Sequence, residues 1–179
     1  MLIRILVAII LVIPACFGQN EMVVKWEEGN PYSSSFLYNG FKYRVIRIFD
    51  TKDPSTSVMV GVAGNTSIGC PGPGRRCTTA LLLVGNEGTV PFDLEPQNVD
   101  CMCINKSPRP SKPLNHYSFP RFLQGQAQST NVLLKANTIF PGDNKSGAVI
   151  FSGRCNEYEM HVALTLSNRR VSFQFPGAP

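Results

Sequence analysis

Three sulfur-bearing side chains stand in a row at Cys101, Met102 and Cys103. Thiolate and thioether sulfur are soft ligands that suit Cu(I), especially where folding brings a histidine or Met160 close to them. In a β-strand, however, successive side chains point to opposite faces, so Met102 would point away from both cysteines. The motif therefore favours a disulfide and one buried or reactive thiol, with copper binding through Cys101 and Cys103 as the alternative.

Acid–base chemistry has few candidates, because His116 and His161 are the two histidines of the chain. His161 lies opposite the apolar positions of an alternating segment, which indicates the outer face of a strand, and His116 is expected on the surface of a loop. The sequence has no nucleophile elbow, HExxH motif, phosphate-binding loop or dinucleotide fingerprint. We therefore expect a non-enzymatic chain with no catalytic residue, no cofactor and no metal.

The first eighteen residues predict export. Arg4 precedes an apolar run over residues 5–15, and small residues at Ala15 and Gly18 close that run, which is the layout of a secretory signal peptide. Cleavage after Gly18 would leave Gln19 at the N-terminus. No later apolar run approaches the roughly 18 residues that a membrane-spanning helix needs. We expect a secreted or periplasmic protein.

A second processing route leads to a different location. The sequence Ile13-Pro14-Ala15-Cys16 looks like a bacterial lipobox, although Pro14 departs from that pattern. Lipid attached to Cys16 would hold the chain on a membrane. Anchoring to the cell envelope is therefore the alternative to free secretion.

Export also bears on the cysteines, because an oxidising compartment favours disulfides. Cys70 and Cys77 flank a segment rich in proline and glycine, and closing it would stabilise the fold by about 2 to 3 kcal/mol. Cys155 then pairs with Cys101 or Cys103, between which the sequence does not choose, and we name Cys101 as the expected partner. Five cysteines follow Cys16, so one thiol is left over and could link two chains into a dimer.

The body of the chain has the pattern of strands. Short apolar or alternating runs, bounded by turn residues, occur at residues 41–49, 58–62, 79–84, 92–94, 99–104, 147–151, 158–166 and 171–175. Asn168 marks the turn of a final hairpin. Fourteen prolines and fifteen glycines punctuate the chain, which supports no long helix after the signal and is typical of a sandwich or barrel.

The mature chain of roughly 160 residues is the size of one domain. We divide the sequence into a signal peptide at 1–18, an N-terminal extension at 19–39 and one β domain at 40–176. Residues 104–122 carry four prolines and are expected to cross the surface as a long loop. We place a binding surface in this loop, at residues 107–120.

The charge of the chain is modest. The formal net charge of +5 falls to +4 when Arg4 leaves with the signal, and the basic residues are scattered. Such a distribution favours solubility and is not the basic patch of a nucleic-acid-binding protein. We therefore expect no nucleic-acid partner.

Several short motifs resemble a known group of exported proteins. In residues 81–88 an apolar run ends in an Asn-x-Gly turn, residues 91–94 follow, and a Pro-Gly turn at 140–143 introduces the G-x-V-x-F segment at 147–151. This succession resembles secreted bacterial immunoglobulin-like β-sandwich proteins, the group of the mycobacterial immunoprotective extracellular protein. The resemblance extends over about residues 41–175. It implies an exported sandwich and supplies no catalytic residue.

These observations predict an all-β chain, with an immunoglobulin-like antiparallel β-sandwich of about seven strands behind a signal peptide. We expect an exported binding or interaction module for an unknown protein or cell-surface ligand. The alternative is a periplasmic or extracellular copper-binding protein that uses Cys101 and Cys103.

Overall fold

The computed structural model of the protein describes residues 21–64, 77–104, 111–113, 133–155 and 157–177. Two single-turn 3-10 helices lie at Pro54–Thr56 and Pro96–Asn98. The strands of the described residues are β1 Met22–Lys25, β2 Ser33–Tyr38, β3 Phe41–Ile48, β4 Val58–Gly64, β5 Cys77–Asn86, β6 Phe92–Leu94, β7 Val99–Cys103, β8 Asn137–Ile139, β9 Asn144–Ser152, β10 Tyr158–Leu166 and β11 Arg169–Pro176.

These strands form two main sheets. One has the order β1-β11-β10-β7, the other has the order β2-β3-β4-β5-β9, and β6 pairs with β8 in a small third sheet. The strand pairs are antiparallel except β1 with β11, which is parallel. The predicted all-β sandwich is confirmed. The described residues hold eleven strands rather than about seven, because strands of three or four residues such as β1 and β8 are too short to give a periodic signal.

The core follows from the two-residue period of the strands. On β10 every second residue is buried, and on β11 the apolar residues Val171, Phe173 and Phe175 follow the same period. These side chains face the buried positions of β3, β4, β5 and β9. Burying a side chain of the size of Leu164 or Phe173 stabilises the fold by about 1.5 to 3 kcal/mol. The core members on the last two strands are Tyr158, Met160, Val162, Leu164, Leu166, Val171, Phe173 and Phe175.

The segment predicted as an N-terminal extension is part of the sandwich. β1 pairs with β11 through Met22 opposite Val171, and β2 pairs with β3 through Ser33 opposite Ile46. Val24 is the buried residue of β1, so this strand offered no alternation to detect. The sandwich therefore begins at Met22 and not at residue 40.

One side of the sandwich is closed by a segment of three residues. Ser111 exchanges two backbone hydrogen bonds with Cys101 on β7, at 3.0 and 2.9 Å, and Pro113 forms a bridge with Phe151 on β9. The Lys112 ammonium donates to an Asp100 carboxylate oxygen at 2.8 Å. The edges of both main sheets are thus joined on this side.

The edge strands on the opposite side are β1 and β2. Trp26, directly after β1, connects them, because its indole N–H donates to the carbonyl of Ser34 at 2.9 Å. The guanidinium of Arg44 lies over the Trp26 ring at 5.1 Å from its centroid. No other described strand pairs with the outer edge of β1, and this side carries the candidate site.

Candidate functional site

The structure pairs Cys155 with Cys103, with 5.7 Å between their Cα atoms. The assignment of Cys101 to this disulfide was therefore wrong, and the register of the strands gives the reason. Cys103 lies opposite Tyr158 at the start of β10, whereas Cys101 lies opposite Met160. Cys101 is thus about 7 Å further into the sheet than the end at which Cys155 enters.

Cys101 is the free cysteine among the described residues, and its side chain is 4% exposed. Burial, with a smaller contribution from the neighbouring Asp100 charge, raises the pKa of its thiol to about 11. A thiol in this state is neutral at physiological pH and is a poor nucleophile. Cys101 therefore acts as a small apolar core residue.

The remaining cysteines are described in part. Cys77 is disulfide-bonded, while its predicted partner Cys70 and the predicted lipidation site Cys16 lie outside the described residues. Copper binding, the alternative function, needs thiolates at Cys101 and Cys103. In this structure the sulfur of Cys103 is bonded to Cys155 in the disulfide. Within the described ranges no group of three or more His, Cys, Asp or Glu side chains could hold a metal ion. Copper binding stays a prediction for the reduced chain.

His161 lies on the outer face of the four-stranded sheet, opposite Asp100 on β7. The side chain is half-buried, and Nε2 lies 3.3 Å from a carboxylate oxygen of Glu159. His161 and Glu159 thus contact each other on the outer face of this sheet. His116 lies outside the described residues.

The predicted binding loop at residues 107–120 is described at residues 111–113. These residues are part of the framework, because Ser111 and Pro113 contact the edges of the two sheets. The rest of the loop lies outside the described residues. Of the helices in the described segments, none is long and apolar enough to cross a membrane.

The sequence interpretation missed a cleft of about 690 Å³ beside β1. One wall is formed by β1 and the start of β11, and the other by the end of β3 with the turn that follows it. The lining residues include the apolar side chains of Met22, Val23, Tyr32, Ile48, Phe49 and Val171 and the charged side chains of Lys25, Glu27, Asp50, Lys52 and Arg169.

The turn after β3 holds one wall in place. The Asp50 carboxylate accepts hydrogen bonds from the backbone N–H groups of Lys52, at 2.8 Å, and Asp53, at 3.2 Å. These bonds hold the pKa of the Asp50 carboxyl below its usual range. The turn directs Phe49 outward, with 64% of the residue exposed. An exposed Phe at this place is fixed by a local turn rather than by the strand pattern.

The lining of the cleft contains three cationic and two acidic side chains. Lys25, Lys52 and Arg169 form no salt bridge within the described residues. The carboxylate of Asp50 is held by two backbone N–H groups, and the nearby charges of Lys52 and Arg169 also contribute to lowering its pKa. Glu27 is the other acidic side chain of the lining. The cleft therefore combines exposed apolar surface with cations that have room for an anionic partner group.

Comparisons with known proteins identify no family for this chain. No family model matches the chain, and no curated protein matches it. Among solved structures, the yjhA protein of Bacillus subtilis superposes with a TM-score of 0.45 at 9% identity, covering 85% of this chain and 97% of yjhA. The candidate lipoprotein ycdA of Bacillus subtilis gives a TM-score of 0.39 at 13% identity, covering 82% of this chain and 38% of ycdA.

Proposed function

We propose that the protein is an exported, non-enzymatic binding module, and that it binds a protein or cell-surface ligand in the cleft beside β1. One observation carries the proposal: the exposed apolar side chains of Met22, Val23, Tyr32 and Phe49 line a single cleft. Apolar surface gathered in a concave site with a few polar groups is typical of ligand and partner sites.

Export is supported by two independent features. The N-terminal eighteen residues have the layout of a signal peptide. The Cys103–Cys155 disulfide is of the kind that forms and persists outside the reducing cytosol. Free secretion and a lipid anchor at Cys16 both place the folded chain in such a compartment.

The cleft is tested by Phe49→Ser, with Phe140→Ser as the matched control. Phe140 is 58% exposed and lies outside the cleft lining, so both variants should retain wild-type melting temperatures. Each oxidised protein, starting at Gln19, is immobilised and exposed to a cell-surface extract of its source. We expect a saturable ligand retained by the wild type and Phe140→Ser and lost from Phe49→Ser. Equal retention by all three proteins, or turnover of the retained ligand, would contradict the proposal.

Export is tested by the intact mass of the protein made in its native host. A mass that begins at Gln19 indicates free secretion, and a mass that begins at an acylated Cys16 indicates a lipid anchor. An uncut chain recovered from the cytosol with reduced Cys103 and Cys155 would contradict export by either route.

A further inference from the structure

We infer that the partner binds as an extended polypeptide segment that adds a strand to the outer edge of β1, with which no other described strand pairs. The inference rests on the proposed function and specifies how the cleft recognises its ligand. Strand addition supplies affinity through main-chain hydrogen bonds and specificity through alternate side chains of the added strand. β1 offers outward backbone groups for the main-chain hydrogen bonds and an adjacent cleft for the side chains.

The backbone of β1 has hydrogen-bonding groups directed away from its sheet. The N–H of Trp26 donates to Gln174 on β11 at 2.8 Å, and Val24 lies opposite Phe173. In a parallel ladder alternate residues bond to the same neighbour, so Val24 and Trp26 face β11. Val23 and Lys25 therefore present their N–H and C=O groups to the outside.

This edge differs from the edges on the other side of the sandwich. The β7 edge is paired with Ser111 and the β9 edge contacts Pro113. β1 carries no proline, and its outer edge has no strand beside it in the described part of the chain. Proteins usually cover or interrupt an exposed edge, because it is a template for pairing with another chain. An edge beside an apolar cleft that no described strand covers is suited to that pairing.

The cleft determines which segment fits. A strand beside β1 would direct alternate side chains toward Ile48 and Phe49 on the opposite wall, which favours apolar residues at every second position. Lys25, Lys52 and Arg169 line the same cleft without a salt bridge to another described residue. The partner is therefore an extended segment with alternating apolar residues and at least one carboxylate.

The probe is a displayed library of randomised nine-residue peptides, selected on the oxidised protein and depleted on the bare support. Alternating apolar residues with Asp or Glu among the other positions are expected in the selected sequences. The best peptide is then synthesised, and its affinity is measured for the wild type, Val23→Pro and Val23→Ala. Proline removes the outward N–H of residue 23 without removing a bond to β11, and alanine retains that N–H.

Val23→Pro should weaken binding about tenfold relative to Val23→Ala, the effect of losing one main-chain hydrogen bond. N-methylation of the peptide at successive positions should weaken binding at every second position. In one outcome, selected peptides bind the wild type and Phe49→Ser abolishes this binding, but Val23→Pro and Val23→Ala have the same affinity and the effect of N-methylation has no two-residue period. The inference of strand addition then fails, while the proposed function stands. If no peptide is selected and Phe49→Ser leaves every ligand unaffected, both fail.

A second copy of the chain is the remaining occupant of the edge. Analytical ultracentrifugation of the wild type and Val23→Pro distinguishes it. A monomer in both cases supports the partner segment, whereas a wild-type dimer that Val23→Pro dissociates would overturn it in favour of self-association.

Discussion

Replacing Asn86 with alanine should destabilise the fold by about 3 to 5 kcal/mol. Asn86 ends β5 and is 2% exposed. Its side-chain amide donates to the carbonyls of Val90 and Ile139, each at 2.9 Å, and its side-chain oxygen accepts the N–H of Gly88 at 2.9 Å. One side chain thus connects β5, the turn after it and β8.

The magnitude follows from what alanine leaves behind. The bond to Ile139 is buried, so its loss costs about 1 to 3 kcal/mol for a carbonyl left without this donor. The bonds involving Val90 and Gly88 are partly buried, and each contributes about 1 kcal/mol. Asn86→Asp retains the acceptor for Gly88 and loses both donors, so it should also destabilise strongly.

The assay is urea unfolding followed by the fluorescence of Trp26, the single tryptophan of the chain. The midpoint should fall with little change in the slope. Asn137→Ala is the matched control, because Asn137 is an exposed residue of β8, and its effect should lie within about 0.5 kcal/mol. A loss below 1 kcal/mol for Asn86→Ala would refute the role assigned to these three hydrogen bonds.

Three further predictions concern the cysteines. Replacing Cys103 and Cys155 together with alanine should lower the free energy of unfolding by about 4 kcal/mol, since the disulfide spans 52 residues; a loss under 1 kcal/mol in urea titration would contradict this. With a pKa of about 11, Cys101 is roughly one-thousandth thiolate at pH 8, so iodoacetamide should modify it at least about 100-fold more slowly in the native protein than in urea. Because the unfolded thiol ionises at lower pH than the folded thiol, stability should fall as the pH rises from about 9 to 11, and Cys101→Ala should flatten that fall.

The late strands could be predicted from the sequence because their burial is periodic. Every second residue from Tyr158 to Leu166 is buried, and the apolar residues Val171, Phe173 and Phe175 on the strand that follows have the same period. β2 escaped detection because its three serines are followed by three consecutive aromatic or apolar residues, so it does not alternate, and it pairs with β3 without entering the core. Local pattern thus identifies strands that build the core and misses those that extend its edges.

The cysteine pairing and the cleft depend on register, which the sequence does not show. Cys101 and Cys103 lie on the same face of a strand and differ by two positions, and the alignment of β7 with β10 decides which of them meets Cys155. The cleft brings together Met22, Phe49 and Arg169. These residues are far apart in the chain and belong to three elements, so no local motif could mark them.

The β7 and β9 edges of the sandwich are contacted by Ser111 and Pro113, whereas no described strand pairs with the outer edge of β1. The backbone N–H and C=O groups of Ser111 are both hydrogen-bonded to Cys101 on β7. Pro113, which has no N–H to donate, forms a bridge with Phe151 on β9. A proline at this place limits further pairing along that edge. The part of the loop that the structure describes therefore protects a side of the fold instead of offering backbone groups to a partner. The backbone N–H and C=O groups of Val23 and Lys25 are directed away from β11. For this reason we place the proposed binding of a partner's main chain at β1.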